Sequence, residues 1–192
     1  RFRQENIMRI IAGKARGKKL KTPEGDHIRP TLDRIRENIY NMIGTGIRGS
    51  VFLDLFSGTG AMGIEALSRG AEKVYFVDSD RRSYELTEYN IKSARLEENA
   101  LVYNMEAERA LEQFERQGVK FDIIFLDPPY NKGIVQKILQ QLEKYNIMQD
   151  EGTVIVETDR SEETPESIGK FFREREKNYA ATKITFYGVA NE

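Results

Sequence analysis

Apolar positions along this chain change their spacing in a regular way. Residues 8–28 (MRIIAGKARGKKLKTPEGDHI) read as short strands broken by Gly13, Gly17, Pro23 and Gly25. Residues 31–43 take helical spacing, with Leu32, Ile35, Ile39 and Met42 on one stripe, Thr31 as N-cap, and Gly44 and Gly46 as the stop. From residue 51 onward short apolar runs alternate with amphipathic ones. SVFLDLF, KVYFVD, ALVYN, FDIIFLD and GTVIVET read as strands. Between them, residues 61–70, 81–95, 106–117 and a segment marked by Ile134, Ile138, Leu142 and Tyr145 read as helices. FDIIFLD shows no alternation, so both its faces are expected to be buried. Residues 171–178 and 182–188 close the chain as two strands joined by a tight turn. Alternation of this kind predicts an α/β protein with a doubly wound, mostly parallel sheet. Its ligand is expected outside the carboxyl ends of the strands, near the point where the strand order reverses.

Composition narrows the chemistry. The chain has 192 residues, 39% hydrophobic and 32% charged, as in a single globular domain and unlike a disordered tail. No apolar run approaches the ~18 residues of a membrane span, and no signal-peptide core is present in the sequence, so a cytoplasmic protein is expected. The absence of cysteine excludes a disulfide scaffold, a thiolate nucleophile and a cysteine zinc site. One histidine, His27, leaves no basis for a histidine metal cluster or a Ser-His-Asp triad. No metal is therefore expected, and His27 reads as not catalytic.

The net charge of −1 hides an asymmetry: residues 1–50 carry 12 Lys and Arg against 5 Asp and Glu, while residues 51–192 carry 18 against 26. A basic leading segment beside an acidic body suggests contact with a polyanion, although a solvated charged surface has the same composition. Residues 1–7 (RFRQENI) precede Met8 and are read as leader or vector-derived sequence. Residues 8–49 then form a basic extension and helix, and residues 50–192 the main domain.

The first strand of the main domain runs into Asp54-Leu-Phe-Ser-Gly58-Thr-Gly60-Ala-Met-Gly63. Glycines at this spacing permit a tight strand-to-helix turn and close approach of backbone amides to a ligand. Asp78, at the end of the second strand, either accepts the ribose hydroxyls of an adenosine-containing ligand or faces water. Glu106, after the third strand, either accepts the amino group of adenine or simply starts a helix. The fourth strand ends in Asp127-Pro128-Pro129-Tyr130. Two prolines cannot continue a strand and hold the backbone extended. They fix a carboxylate, a proline carbonyl and an aromatic ring around one point at the carboxyl edge of the sheet. That grouping suits a planar exocyclic amine: Asp127 and the Pro128 carbonyl each accept one N–H, and Tyr130 stacks on the base.

With these motifs the chain resembles the class I S-adenosylmethionine-dependent methyltransferases that modify exocyclic amines of nucleobases. The narrower match is to the bacterial RsmD family, which methylates N2 of a guanine in 16S ribosomal RNA. It rests on Arg29-Pro30-Thr31, Asp33-Arg34, Arg36-Glu37, DLFSGTGAMGIEALSRGA, FLDPPY and the leading RIIAGKARGKKL, and covers residues 8–190. The resemblance implies a Rossmann-like sheet of seven strands, the last antiparallel. It implies that Asp54, Phe56, Gly58 and Gly60 hold the methionine part of S-adenosylmethionine. Asp78 would bind the ribose, Glu106 and the backbone of Ala107 the adenine, and Asp127, Pro128, Pro129 and Tyr130 the guanine. S-adenosylhomocysteine would be the product.

A base paired inside a helix cannot reach such a pocket and must be unpaired or flipped out. Arg9, Lys14, Arg16, Lys18, Arg29, Arg34 and Arg36, with Lys19 and Lys21, are candidate phosphate contacts, and Arg34 and Arg36 have helix ion pairs as an alternative. The expected partner is 16S ribosomal RNA, free or within a small subunit or its assembly intermediate, with no membrane and no need for more than a monomer. Three rivals remain: a DNA adenine-N6 methyltransferase or an enzyme acting on another RNA, a nicotinamide-dependent dehydrogenase, and a non-catalytic RNA-binding module. The rigid Asp-Pro-Pro-Tyr turn argues against the last two, and the lack of a large target-recognition domain against a sequence-specific DNA enzyme.

Overall fold

The computed structural model describes residues 8–23, 30–129 and 133–190, the side chains of Pro30 and Thr31 excepted. Five helices and eight strands alternate along them. Helix α1 (Pro30–Ile43) precedes β1 (Val51–Leu55), α2 (Ala61–Ser68), β2 (Lys73–Asp78), α3 (Arg81–Ala94), β3 (Ala100–Asn104), α4 (Ala107–Arg116) and β4 (Phe121–Leu126). Helix α5 (Ile134–Lys144), β5 (Met148–Asp159), β6 (Ser167–Ile168), β7 (Phe171–Asn178) and β8 (Thr182–Val189) follow. One sheet contains all the strands in the order β3-β2-β1-β4-β5-β8-β7-β6. Strands β1 to β5 are parallel, and β8 pairs antiparallel with both β5 and β7. The expected doubly wound sheet is therefore present. The count of seven strands rises to eight through the two-residue β6, which pairs antiparallel with β7.

Strand alternation sorts the core into two layers. Phe52, Phe76, Phe125 and Ile155 face α1, α2 and α3, whereas Leu53, Leu55, Leu126 and Val156 face α4 and α5. With helices on both sides, β4 is buried on both faces, as its unbroken apolar run predicts. Helix α2 lies so close to β2 that a Cβ on Gly63 would stand 2.3 Å from the Phe76 ring. The third glycine of the G-x-G-x-x-G run thus serves helix–sheet packing.

Two sequence expectations change. Helix α1 begins at Pro30, so Thr31 lies inside the helix and is not its cap. Proline suits the first turn, where its missing N–H would have no intrahelical partner. Residues 8–23 form no strand beyond one isolated antiparallel bridge between Arg9 and Lys19. They fold instead as a hook closed on itself, with Ile10 N–H donating to Lys18 O and Leu20 N–H to Met8 O. The hook docks on α2. The buried Glu65 carboxylate accepts N–H bonds from Ile11 and Ala12, and the Ser68 hydroxyl accepts from Ala15 N–H. These backbone groups find side-chain partners where a strand would use a neighbouring backbone.

Candidate active site

The strand order reverses between β1 and β4, which places the crevice at their carboxyl ends. A cavity of about 1190 Å³ opens there, lined by Asp54, Phe56, Gly58, Phe125 and Asp127 among others. Ordinary small-molecule sites measure ~300–1,000 Å³, so this one has room for a cofactor and part of a substrate.

The glycine loop shapes its floor. Gly58 and Gly60 take positive φ of 55° and 78°, and Gly60 caps α2. Phe56 also has positive φ, 69°, which a side chain adopts at a cost of about 1–2 kcal/mol. The turn is held by Phe56 N–H and Ser57 N–H, both donating to Val77 O. Gly58 N–H donates to Asp78 Oδ2 at 2.9 Å, and Asp80 N–H donates to Asp78 Oδ1 at 2.9 Å. Asp78 therefore fastens the glycine loop to the end of β2. It stands beside the cavity without lining it.

Asp54 is 1% exposed and accepts Gly63 N–H at 2.9 Å. Burial pushes its carboxyl up to about 8; the Gly63 bond works the other way, and Asp127 and Asp78 add repulsion. A buried acid surrounded by other acids suits a ligand that brings positive charge. The sign for stability follows. The folded state holds this proton more tightly than the unfolded chain does. The resulting stabilisation is complete below the ordinary carboxylate range near pH 4 and is lost as pH rises through about 8. Asp54→Asn keeps an acceptor for Gly63 and removes the titration. Between pH 5 and pH 8, urea denaturation is expected to show the wild type losing ~3–4 kcal/mol more than Asp54→Asn.

Asp127 follows β4 and opens into the cavity, with Pro128 buried behind it and Pro129 exposed. Protein packed around its inner side raises its carboxyl to about 6. Register fixes its neighbours. Asp54, Phe76, Phe125 and Ile155 are aligned across β1, β2, β4 and β5. Two positions further along the last three strands, Asp78, Asp127 and Glu157 return to the same face.

The cavity thus gathers Asp54, Phe56, Gly58 and Asp127. Gly60, Asp78, Glu106, Ala107, Pro128 and Pro129 lie outside its lining. Glu106 stands at the N-cap of α4, exposed, and its side chain makes no cap hydrogen bond. Tyr130, Arg29 and His27 fall outside the described residues.

Of the basic residues, Arg9, Lys14, Arg16 and Arg34 are exposed. Lys18 is partly committed, its Nζ donating to Ala94 O at the end of α3 at 2.6 Å. Arg36 is a correction. It is 4% exposed, pairs with Asp33 at 3.1 Å, lies 3.8 Å from Glu65 and donates to Arg9 O. The helix ion pair, the alternative for this residue, is what the structure shows, and no guanidinium surface is left for a phosphate.

Sequence reading missed much of the cavity mouth. Leu32, expected on the buried stripe of α1, is 44% exposed and lines it, as do Arg82, Leu86 and Tyr89 on one side of α3. Tyr89 is 56% exposed, and Lys21 Nζ sits 5.3 Å from its ring centroid. The available signal was an apolar pair, Leu86 and Tyr89, in a helix otherwise rich in charge. Thr182, from β8, closes the far side.

Among the described residues no group of His, Cys, Asp and Glu could hold a metal ion, and no helix is long and apolar enough to cross a membrane.

Comparison with known proteins gives a consistent result. A family model described as "Conserved hypothetical protein 95" matches residues 8–188. A Bacillus subtilis protein named "Putative rRNA methyltransferase YlbH" is 39% identical over 94% of this chain and 98% of its own length. The Escherichia coli "Ribosomal RNA small subunit methyltransferase D" is 34% identical over 88% of this chain and 84% of its own. The solved structure of "Putative methyltransferase yhhF from Escherichia coli" superposes with a TM-score of 0.85 at 32% identity, covering 96% of this chain and 99% of that one.

Proposed function

The chain belongs to the RsmD family of ribosomal RNA small subunit methyltransferases, and from that premise we propose that it transfers a methyl group from S-adenosylmethionine to the exocyclic N2 of a guanine in 16S ribosomal RNA. The observation that carries this reading is the meeting of Asp54, opposite Phe125 on β4, and Asp127, two residues further along, in one cavity at the switch point.

The residues present fit the cofactor. Asp54, a buried acid repelled by its neighbours, receives the ammonium of the methionine part, and Phe56 and Gly58 flank it. Asp78, at the end of β2, and Glu106, at the N-cap of α4, stand beside the cavity and would receive the ribose and adenine. When bound, S-adenosylmethionine supplies a methyl group already activated by its sulfonium. The protein's task is then alignment and charge. Guanine N2 is a weak nucleophile because its lone pair is delocalised into the ring. Asp127 and the Pro128 carbonyl accept its two N–H bonds, favour a tetrahedral nitrogen and stabilise the positive charge that develops on it. Asp127 orients first. The departing proton passes to it or to water.

At the mouth, Lys21 and Tyr89 meet the RNA beside the extruded base, with the exposed Arg9, Lys14, Arg16 and Arg34 on phosphates. Aromatic stacking on a base contributes ~1–3 kcal/mol. Tyr89→Ala is therefore expected to raise the KM for RNA about tenfold with kcat nearly unchanged, measured in steady-state methyl transfer.

The reading is tested by offering labelled S-adenosylmethionine with small-subunit RNA, naked or in particles, and with DNA carrying adenine targets. Transfer to the RNA alone is expected. Transfer to DNA alone would replace this reading with adenine-N6 chemistry.

A further inference from the structure

One carboxyl beside this cavity, Glu157, stands just outside its lining and has no role in the reaction described above. Glu157 lies on β5, one position beyond the Leu126–Val156 pair that joins β5 to β4. It therefore falls beside Asp127 on the same face of the sheet. On its other side it pairs with Ile184 of β8. Thr182, two residues before Ile184 and on the same face, lines the cavity, as do Phe125 and Asp127. Glu157 is thus bracketed by cavity-lining residues on both neighbouring strands, and it is only partly buried. The proximity is felt electrostatically: burial first, and then the Asp127 charge, push the Glu157 carboxyl up to about 8.

Two carboxyls side by side form a pair of acceptors. The Watson–Crick edge of guanine presents two adjacent donors, N1–H and N2–H. Adenine presents one donor beside a bare N1 lone pair, and so does 2-aminopurine, which carries its amine at the same carbon as guanine. We propose that Glu157 selects guanine by accepting its N1–H, next to Asp127 accepting N2–H. This rests on the function proposed above and adds the origin of base choice. A base without N1–H turns a lone pair toward Glu157 and leaves that carboxylate unpaired. Sites built to hydrogen-bond a substrate group reject analogues lacking it strongly.

The test is competition within one reaction between RNA bearing guanine and RNA bearing 2-aminopurine at the methylated position. It is run at about pH 8.5, above the Glu157 value of about 8, so that both acids are charged. The wild type is expected to favour guanine by about 100-fold. Glu157→Gln, whose amide can donate to N1 or accept from N1–H, is expected to reduce that preference at least tenfold. Glu157→Ala is expected to do the same, by slowing guanine and by removing the carboxylate that opposes the 2-aminopurine lone pair. The ratio is internal to each preparation, so partial unfolding of a variant does not alter it. The intrinsic difference between the two amines cancels between enzymes. A preference within about twofold of wild type in both variants would overturn the role of Glu157 and leave guanine-N2 transfer intact. A wild type that methylates neither RNA would overturn both.

Discussion

Asp127→Ala is expected to lower kcat by two to three orders of magnitude, while S-adenosylmethionine binds within about threefold of wild type. Removing one preorganised partner of developing charge typically has an effect of ~10²–10³ on kcat. Among the described residues the Asp127 side chain makes no hydrogen bond or ion pair that would hold the fold together. Asp127 follows β4, opens into the cavity, and its carboxyl is raised to about 6 by burial. Its loss should leave thermal stability within about 1 kcal/mol of wild type. In the proposed reaction the carboxylate form accepts N–H bonds from the amine, so the wild-type rate should fall as pH drops through about 6. That limb should be absent from Asp127→Asn, which cannot titrate. Single-turnover rates across pH, with cofactor affinity measured by calorimetry, check both statements. Equal loss of binding and rate in Asp127→Ala would make the residue part of the cofactor site instead.

Glu65→Ala is expected to be the most destabilising single change, by about 3–5 kcal/mol. Glu65 is 0% exposed and joins three parts of the chain. It accepts Ile11 N–H at 2.8 Å and Ala12 N–H at 3.0 Å from the leading hook, and Arg69 Nε–H at 2.8 Å from the end of α2. Arg36 of α1 lies 3.8 Å away, and its buried Nε has no hydrogen-bond partner among the described residues, so Glu65 is the charge that compensates it from that side. Alanine would leave a buried guanidinium against fewer acceptors and two backbone amides without partners. The hook should detach while the sheet survives. Limited proteolysis would then cut within residues 8–23 first, and thermal melting would fall by roughly 10 °C. A melting temperature within about 2 °C of wild type would show that Glu65 does not carry this junction.

The sheet and the Asp127-Pro128-Pro129 turn were legible because local chemistry announces them. Asp54 near the end of β1, Asp78 at the end of β2 and Asp127 just after β4 lead into a glycine turn, a helix cap and two prolines, and each stops a strand for its own reason. What escaped was set by distant contacts. Residues 8–23 carry strand-like spacing, yet their amides bond to Glu65 and Ser68, more than fifty residues away in the chain. Arg36 and Arg34 are indistinguishable as letters, and only the packing of α1 on α2 buries one and exposes the other. Glu157 is an ordinary polar residue near the end of an apolar strand until β5 is set beside β4. Tyr89 and Leu32 have the spacing of core residues and line an opening instead. β5 begins at Met148, earlier than the apolar GTVIVET, because Met148 already pairs with Phe121, and the register then shifts before pairing resumes at Ile123 and Thr153.

The most direct measurement is nucleoside analysis of 16S ribosomal RNA from a strain lacking this family's enzyme. The RNA would be incubated as small-subunit particles with S-adenosylmethionine and either the wild-type protein or Asp127→Ala. N2-methylguanosine at a single position, formed by the wild type and at least a hundredfold more slowly by the variant, is the predicted result. Methyl groups on adenine, or equal methylation by Asp127→Ala, would contradict it.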